Sequence, residues 1–355
     1  MTAPAGDETR ARPSRPPLAA RLALALAVGG TSGWIAHTAL LHRGVLAGDF
    51  TWPWRAARIL LQGHDPYVVI QATGRYPFDN AFLYPLPAAL VTLPFAPLRA
   101  ELAGALFVAL GAALLAFVIT RDDWHRVPML ASAPFLKLLL APQWSALMVV
   151  AALAPGFQWL AVAKPNVGLA AFAYRPTRAG VLGGAAVLAV SLAVLPAWPA
   201  EWLRIAAHVR NHPAPVAMPF GFLLLLAALR WRTPEGRLLL AMAVLPQELL
   251  VYDQLLLWLI PRRWWSSLLM AVASWPALVA WVSPEAFGLP RAAAWPLTER
   301  VVMLCIYLPA LAMVLLRRRH PSPGADVVSG QRATRTQWSI SRTVTRLPYM
   351  RSPTR

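Results

Sequence analysis

"LALALAVGGTSGWIAHTALL" occupies residues 22–41 and contains no Asp, Glu, Lys or Arg. A helix rises 1.5 Å per residue, so about 20 apolar residues reach across a hydrocarbon core roughly 30 Å thick. The run is longer than the apolar centre of a cleaved signal, so it reads as a retained span. Ahead of it, "MTAPAGDETRARPSRPP" is polar and Pro-rich, and residues 1–21 are expected to form a disordered cytoplasmic segment.

The rest of the chain repeats the pattern. Of 355 residues, 58% are hydrophobic and only 14% charged, against about 25% charged in soluble domains. Apolar runs follow at about 82–98, 102–120, 128–141, 143–156, 158–174, 180–197, 217–230, 237–248, 250–261, 266–283 and 300–316. The expectation is an all-α polytopic membrane protein whose domain spans 22–316 in about 10–12 transmembrane helices.

A net charge of +18 would suit a nucleic-acid binder, but the arginines flank apolar runs, and nine of them lie between Arg317 and Arg355. Basic flanks orient spans and require no polyanion, so no nucleic-acid partner is expected. With the N-terminus inside, "YRPTR" (174–178), "RWRTPEGR" (230–237), "PRRWW" (261–265) and "RRRH" (317–320) all fall in the cytoplasm. Most acidic residues then fall outside. The outer loops are 42–81 and 198–217, and 317–355 is a basic, disordered cytoplasmic tail. Cys305 is the single cysteine and has no intrachain partner.

The first outer loop opens with "GDFTWPWRAARILLQGHDPY" (48–67). Thr51 and Pro53 suggest a helix start and Gly63 a stop. Trp54, Ala57 and Leu61 would share one face of a short interfacial helix whose tryptophans lie at headgroup level. Asp49 precedes it. One reading makes Asp49 a helix cap and gives Arg55 and Arg58 to membrane-lipid phosphates. The other makes Asp49 a base at the membrane surface beside arginines that hold a phosphate leaving group. Asp65, before Pro66, reads as a turn former or as a second cavity acid.

Elsewhere, Lys164 and Lys137 are the only lysines, and both sit in apolar sequence, where a charge usually faces a cavity or a partner. Glu248 and Asp253 suit either arginine pairing or a cavity lining. His208 and His212 have metal-compatible spacing without a partnering carboxylate motif, so a solvated loop is the expectation there and no metal is assigned.

"AARILLQGHDPY" after a carboxylate, then "YPLPAALVTLPFAPL" (84–98), resembles the opening of glycosyltransferase family 87 in the GT-C superfamily. "PQWSALMVV" (142–150) is similar to that family's Gly-Gln-x-Asn segment and "AKPNVGLAAF" (163–172) to its Lys-Pro segment. "LPQELLVYDQLLLWLIPRRW" (245–264) falls where the family has a Pro-containing late span pair. The pattern departs at Tyr84-Pro85-Leu86-Pro87, at Pro142-Gln143, and at Gln247, Glu248 and Asp253, where Ser, Trp and His are expected.

The resemblance implies a GT-C-like bundle in a bacterial plasma membrane. It implies inverting transfer of a sugar, mannose in the family's polyprenol-dependent members, from a polyprenyl-phosphate donor to an envelope glycolipid or glycan at the outer face. Asp49 would be the catalytic base, with Arg55, Arg58 and Lys164 on the donor phosphate. Asp65, Tyr84, Gln143, Glu248 and Asp253 would line the cavity. A lipid-phosphate donor needs no nucleotide site, and no cofactor is expected. A transporter or lipid flippase, or a catalytically degenerate relative, are the competing readings.

Overall fold

A computed structural model of the chain describes residues 15–43, 48–74, 80–208 and 213–317. Most of the expected N-terminal segment, the tail beyond Arg317 and His212 lie outside these residues, as do 44–47 and 75–79 of the first outer loop. The chain divides into a unit of residues 1–315 and a second of 316–355, which is almost wholly undescribed.

Among the described residues all regular structure is helical. The opening span is a single helix, Leu18–Arg43. It packs along the apolar helix Ala100–Ile119, and small residues allow the approach. A Cβ on Gly29 would stand 2.8 Å from the Ala113 Cβ, and one on Gly33 2.8 Å from the Ala109 Cβ. Inside a bilayer, lipid tails remove any hydrophobic drive between helices, so close van der Waals packing through small residues carries the pairing. Gly30, one position round, meets nothing within 4 Å.

Single helices long enough to cross a membrane are fewer than the expected spans. Among the described residues four helices are long and apolar enough to cross a membrane: Leu18–His42, Ala100–Ile119, Trp264–Val282 and Arg291–Leu315. Arg178–Val194 with Trp198–His208, bent by 96°, makes a possible fifth. The other runs are short helices and 3-10 turns, and proline accounts for much of this. Pro87, Pro128, Pro134, Pro155, Pro165 and Pro234 each sit in the first turn of a new segment, where a missing N–H costs nothing but a preceding helix cannot continue. The chain is a helical membrane protein, built from fewer long helices than its hydropathy suggests.

A large apolar core runs through the bundle. A second, smaller core joins the two expected outer loops: Ala56, Ile59, Tyr67, Phe82 and Leu86 meet Trp198 and Ile205. The Trp202 indole N–H donates to the Leu83 carbonyl at 2.8 Å, which pins the second loop's helix, Trp198–His208, onto the first.

The loop helix itself differs from expectation in two ways. It runs Gly48–Leu61, so Thr51 is internal and not a cap. Its apolar face is turned into the protein: Trp54 is 2% exposed and its indole N–H donates to the Phe95 carbonyl at 3.0 Å. Periodicity found the apolar face; its Trp54 and Ala57 meet protein, while Leu61 at its end is exposed.

Candidate functional site

Three segments far apart in sequence bring one cation and two carboxylates together. Gly48 opens the first with φ +44°, a left-handed backbone that glycine adopts without strain. A Cβ there would lie 3.2 Å from the Ala141 carbonyl carbon. The next N–H but one, on Phe50, donates to the Pro142 carbonyl at 3.3 Å. The Phe50 ring stacks on Phe107 at 4.5 Å. Asp49 is thereby fixed against the 141–144 segment.

Lys164 stands between the 3-10 stretch Pro155–Ala163 and the helix Pro165–Tyr174. Pro165 disfavours helical backbone at the residue before it, and Lys164 is non-helical, at φ −138° and ψ 77°. Asp253 begins the buried 3-10 stretch Asp253–Leu259 after the irregular segment 245–252. Val251 in that segment has φ +80°. A β-branched residue there is strained, and such strain persists only where the surroundings over-determine it. Irregular backbone at membrane depth also needs cover from protein, and Leu249 to Ile260 are buried throughout.

The Lys164 ammonium donates to Asp49 Oδ2 at 2.9 Å and to Asp253 Oδ1 at 3.0 Å. Ser145 Oγ donates to the same Asp253 oxygen at 3.0 Å. The Tyr252 ring lies 5.2 Å from the ammonium, and its hydroxyl donates to Glu248 at 2.8 Å. Tyr84 faces Asp49, and the charges of Asp49, Asp253 and Glu248 all act on its hydroxyl. Gln143 is buried beside Ser145, and its Oε1 accepts no hydrogen bond.

The cluster has a wet end and a dry end. The Asp49 side chain keeps 26% of its exposure, against 7% for Lys164 and 2% for Asp253. One ammonium between two carboxylates leaves an excess negative charge when all three are ionised. Without the ammonium, the two carboxylates would face each other uncompensated. Asp49 is the member that reaches outward.

Asp49, Lys164, Tyr84, Glu248 and Asp253, singled out in the sequence, therefore share one region, with Gln143 bordering it. Two others, Arg58 and Asp65, do not join them. Arg55 and Arg58 flank the Trp54 ring at 4.9 and 5.1 Å, and Arg58 donates to the Leu98 carbonyl at 3.5 Å. Nine residues of helix separate Arg58 from Asp49, roughly 13 Å of rise, so Arg58 is not a partner of this cluster. Asp65 accepts from the Tyr67 N–H at 2.8 Å and caps the helix Pro66–Val69; that fixes it in a turn and not in the cavity. Ser145 and Tyr252 were not singled out, since a lone Ser or Tyr in apolar sequence carries no signal until its partner is known.

Two apolar clefts of about 390 and 400 Å³ lie elsewhere, one between Leu90, Trp159 and Val187 and the other between Ile35, Phe135 and Trp275. Among the described residues no three His, Cys, Asp or Glu side chains are arranged to hold a metal ion. Comparison with family models, with curated proteins and with solved structures gives no match to this chain.

Proposed function

We propose that the chain is an integral-membrane glycosyltransferase of GT-C-like architecture. It takes a sugar, mannose on the resemblance to family 87, from a polyprenyl-phosphate donor and transfers it to a glycolipid or glycan at the outer face of a bacterial plasma membrane. The observation that carries the reading is the contact of the outward-reaching Asp49 with Lys164, itself held from behind by Asp253, to which Ser145 donates.

The chemistry follows from that arrangement. An acceptor hydroxyl attacks the sugar C1 while Asp49 takes its proton. The C1–O bond to phosphate breaks, and the phosphate leaves with the electron pair. Lys164 supplies the positive charge for the departing oxygen. A phosphate that draws Lys164 away from Asp49 also frees the carboxylate to act as base, so donor binding and base activation are coupled. One displacement needs one base, and the product is inverted at C1. Asp253, buried and bonded to both Ser145 and Lys164, positions the ammonium.

With Arg58 bonded to the Leu98 carbonyl, the phosphate role falls first to Lys164. Membranes containing the protein, given polyprenyl-phosphate mannose, should release polyprenyl phosphate and glycosylate the lipid or glycan fraction. Movement of the intact donor between leaflets without bond cleavage would instead identify a flippase.

A further inference from the structure

One end of the bundle collects cations without matching anions. The Arg237 guanidinium donates to the carbonyls of Ala173 and Tyr174 at 2.9 and 3.1 Å, which joins the 174–178 turn to the 230–237 turn. Arg230 donates to the Leu315 carbonyl at 2.9 Å, bringing in the end of the last long helix. Arg262 pairs with Glu235 at 3.1 Å, bringing in 261–265. Glu235 is the only acidic residue in these turns, and its charge is already matched.

Four further guanidiniums remain on that surface. Arg175, Arg178, Arg232 and Arg263 are exposed, and none of them forms an ion pair among the described residues. Arg175 and Arg232 lie over their neighbouring rings, Tyr174 at 5.4 Å and Trp231 at 5.7 Å. The turns that carry them are fixed to one another by the carbonyl bonds above, so the charges cannot disperse without breaking those bonds.

The surroundings of these arginines select the partner. Trp231, Trp264 and Trp265 are 57%, 53% and 53% exposed at the same end, and Leu229 beside them is 69% exposed. Beyond Trp265 the helix Trp264–Val282 continues with exposed Leu269 and Val272. The guanidiniums thus border an outward-facing apolar belt with tryptophan at its rim. Tryptophan at such a boundary sits at headgroup level, and arginine pairs with phosphate through a planar fork of N–H donors. A soluble polyanion would gain nothing from the exposed rings or the apolar belt.

We propose that this end is a docking surface for the phosphates of anionic phospholipids, held by Arg175, Arg178, Arg232 and Arg263 and levelled by Trp231, Trp264 and Trp265. The surface is independent of the Asp49–Lys164–Asp253 cluster and of the reaction assigned to it.

Purified full-length protein in detergent, mixed with phosphatidylglycerol or phosphatidylcholine, tests it by native mass spectrometry. The wild type should retain phosphatidylglycerol about tenfold better, and the preference should weaken as salt shortens the screening length below about 10 Å. The quadruple Arg→Gln variant at 175, 178, 232 and 263 should lose most of it. If that variant does not insert, the pairs Arg175→Gln/Arg178→Gln and Arg232→Gln/Arg263→Gln should each lose part. Equal retention of the two lipids, an unchanged preference in all variants, or displacement of phosphatidylglycerol by equimolar inorganic phosphate would each overturn the proposal.

Discussion

Lys164 Nζ lies 2.9 Å from Asp49 Oδ2 although 115 residues separate them, and it lies 3.0 Å from Asp253 Oδ1, 89 residues further on. The ammonium fastens the first outer loop to the interior of the bundle through a pair that is part exposed and part buried. Removing it has consequences for folding that do not depend on any reaction.

Lys164→Met should leave Asp253, with 2% of its side chain exposed, as an unmatched buried carboxylate. Breaking a buried pair from one side costs about 3–5 kcal/mol. Thermal unfolding in detergent should show a large fall in midpoint. The double variant Lys164→Met/Asp253→Asn should recover a good part of it, because no charge is then stranded. Additive losses would mean that the two side chains do not interact as described.

Gly29→Leu and Gly33→Leu should each push the first span away from Ala109 and Ala113, at about 1–3 kcal/mol for overpacking. Gly30→Leu, with open space at its Cβ position, should change the unfolding midpoint little. Equal effects at all three positions would contradict the packing of Leu18–Arg43 on Ala100–Ile119.

Arginine placement predicts a membrane orientation that labelling can test. In a Cys305→Ser background, an impermeant thiol reagent applied to cells should label Ala72→Cys and leave Thr233→Cys unlabelled until the membrane is opened. The reverse pattern would put the anionic-lipid surface outside and Asp49 inside.

Hydropathy made the helical membrane class legible, and the charge-free run at 22–41 sits within a single helix. The number of long helices was not legible, because a proline in the first turn of a segment, as at Pro87 or Pro165, leaves the apolar composition intact while interrupting helical continuity. The fate of Trp54 was hidden for a related reason: protein interior and bilayer interior are both apolar, so a period of 3.6 cannot say which one a face meets. Asp49, Lys164 and Asp253 stood out individually as charges in or beside apolar sequence. That one ammonium serves both carboxylates depends on contacts between distant segments, which no local pattern encodes. Arg55 and Arg58 looked like Asp49's neighbours in sequence, but helical rise carries Arg58 away from it.

Turnover of the Asp49→Asn protein bears most directly on the proposed chemistry. Asn keeps the size of Asp and an oxygen that can still accept from Lys164, but it cannot take a proton from an acceptor hydroxyl. In membranes supplied with polyprenyl-phosphate mannose, transfer should fall by about 10²–10⁴, with protein level and thermal midpoint near the wild type's and with Asp65→Asn retaining most activity. Near-full transfer by Asp49→Asn, or loss of transfer in Asp65→Asn alone, would contradict the assignment of the base to Asp49.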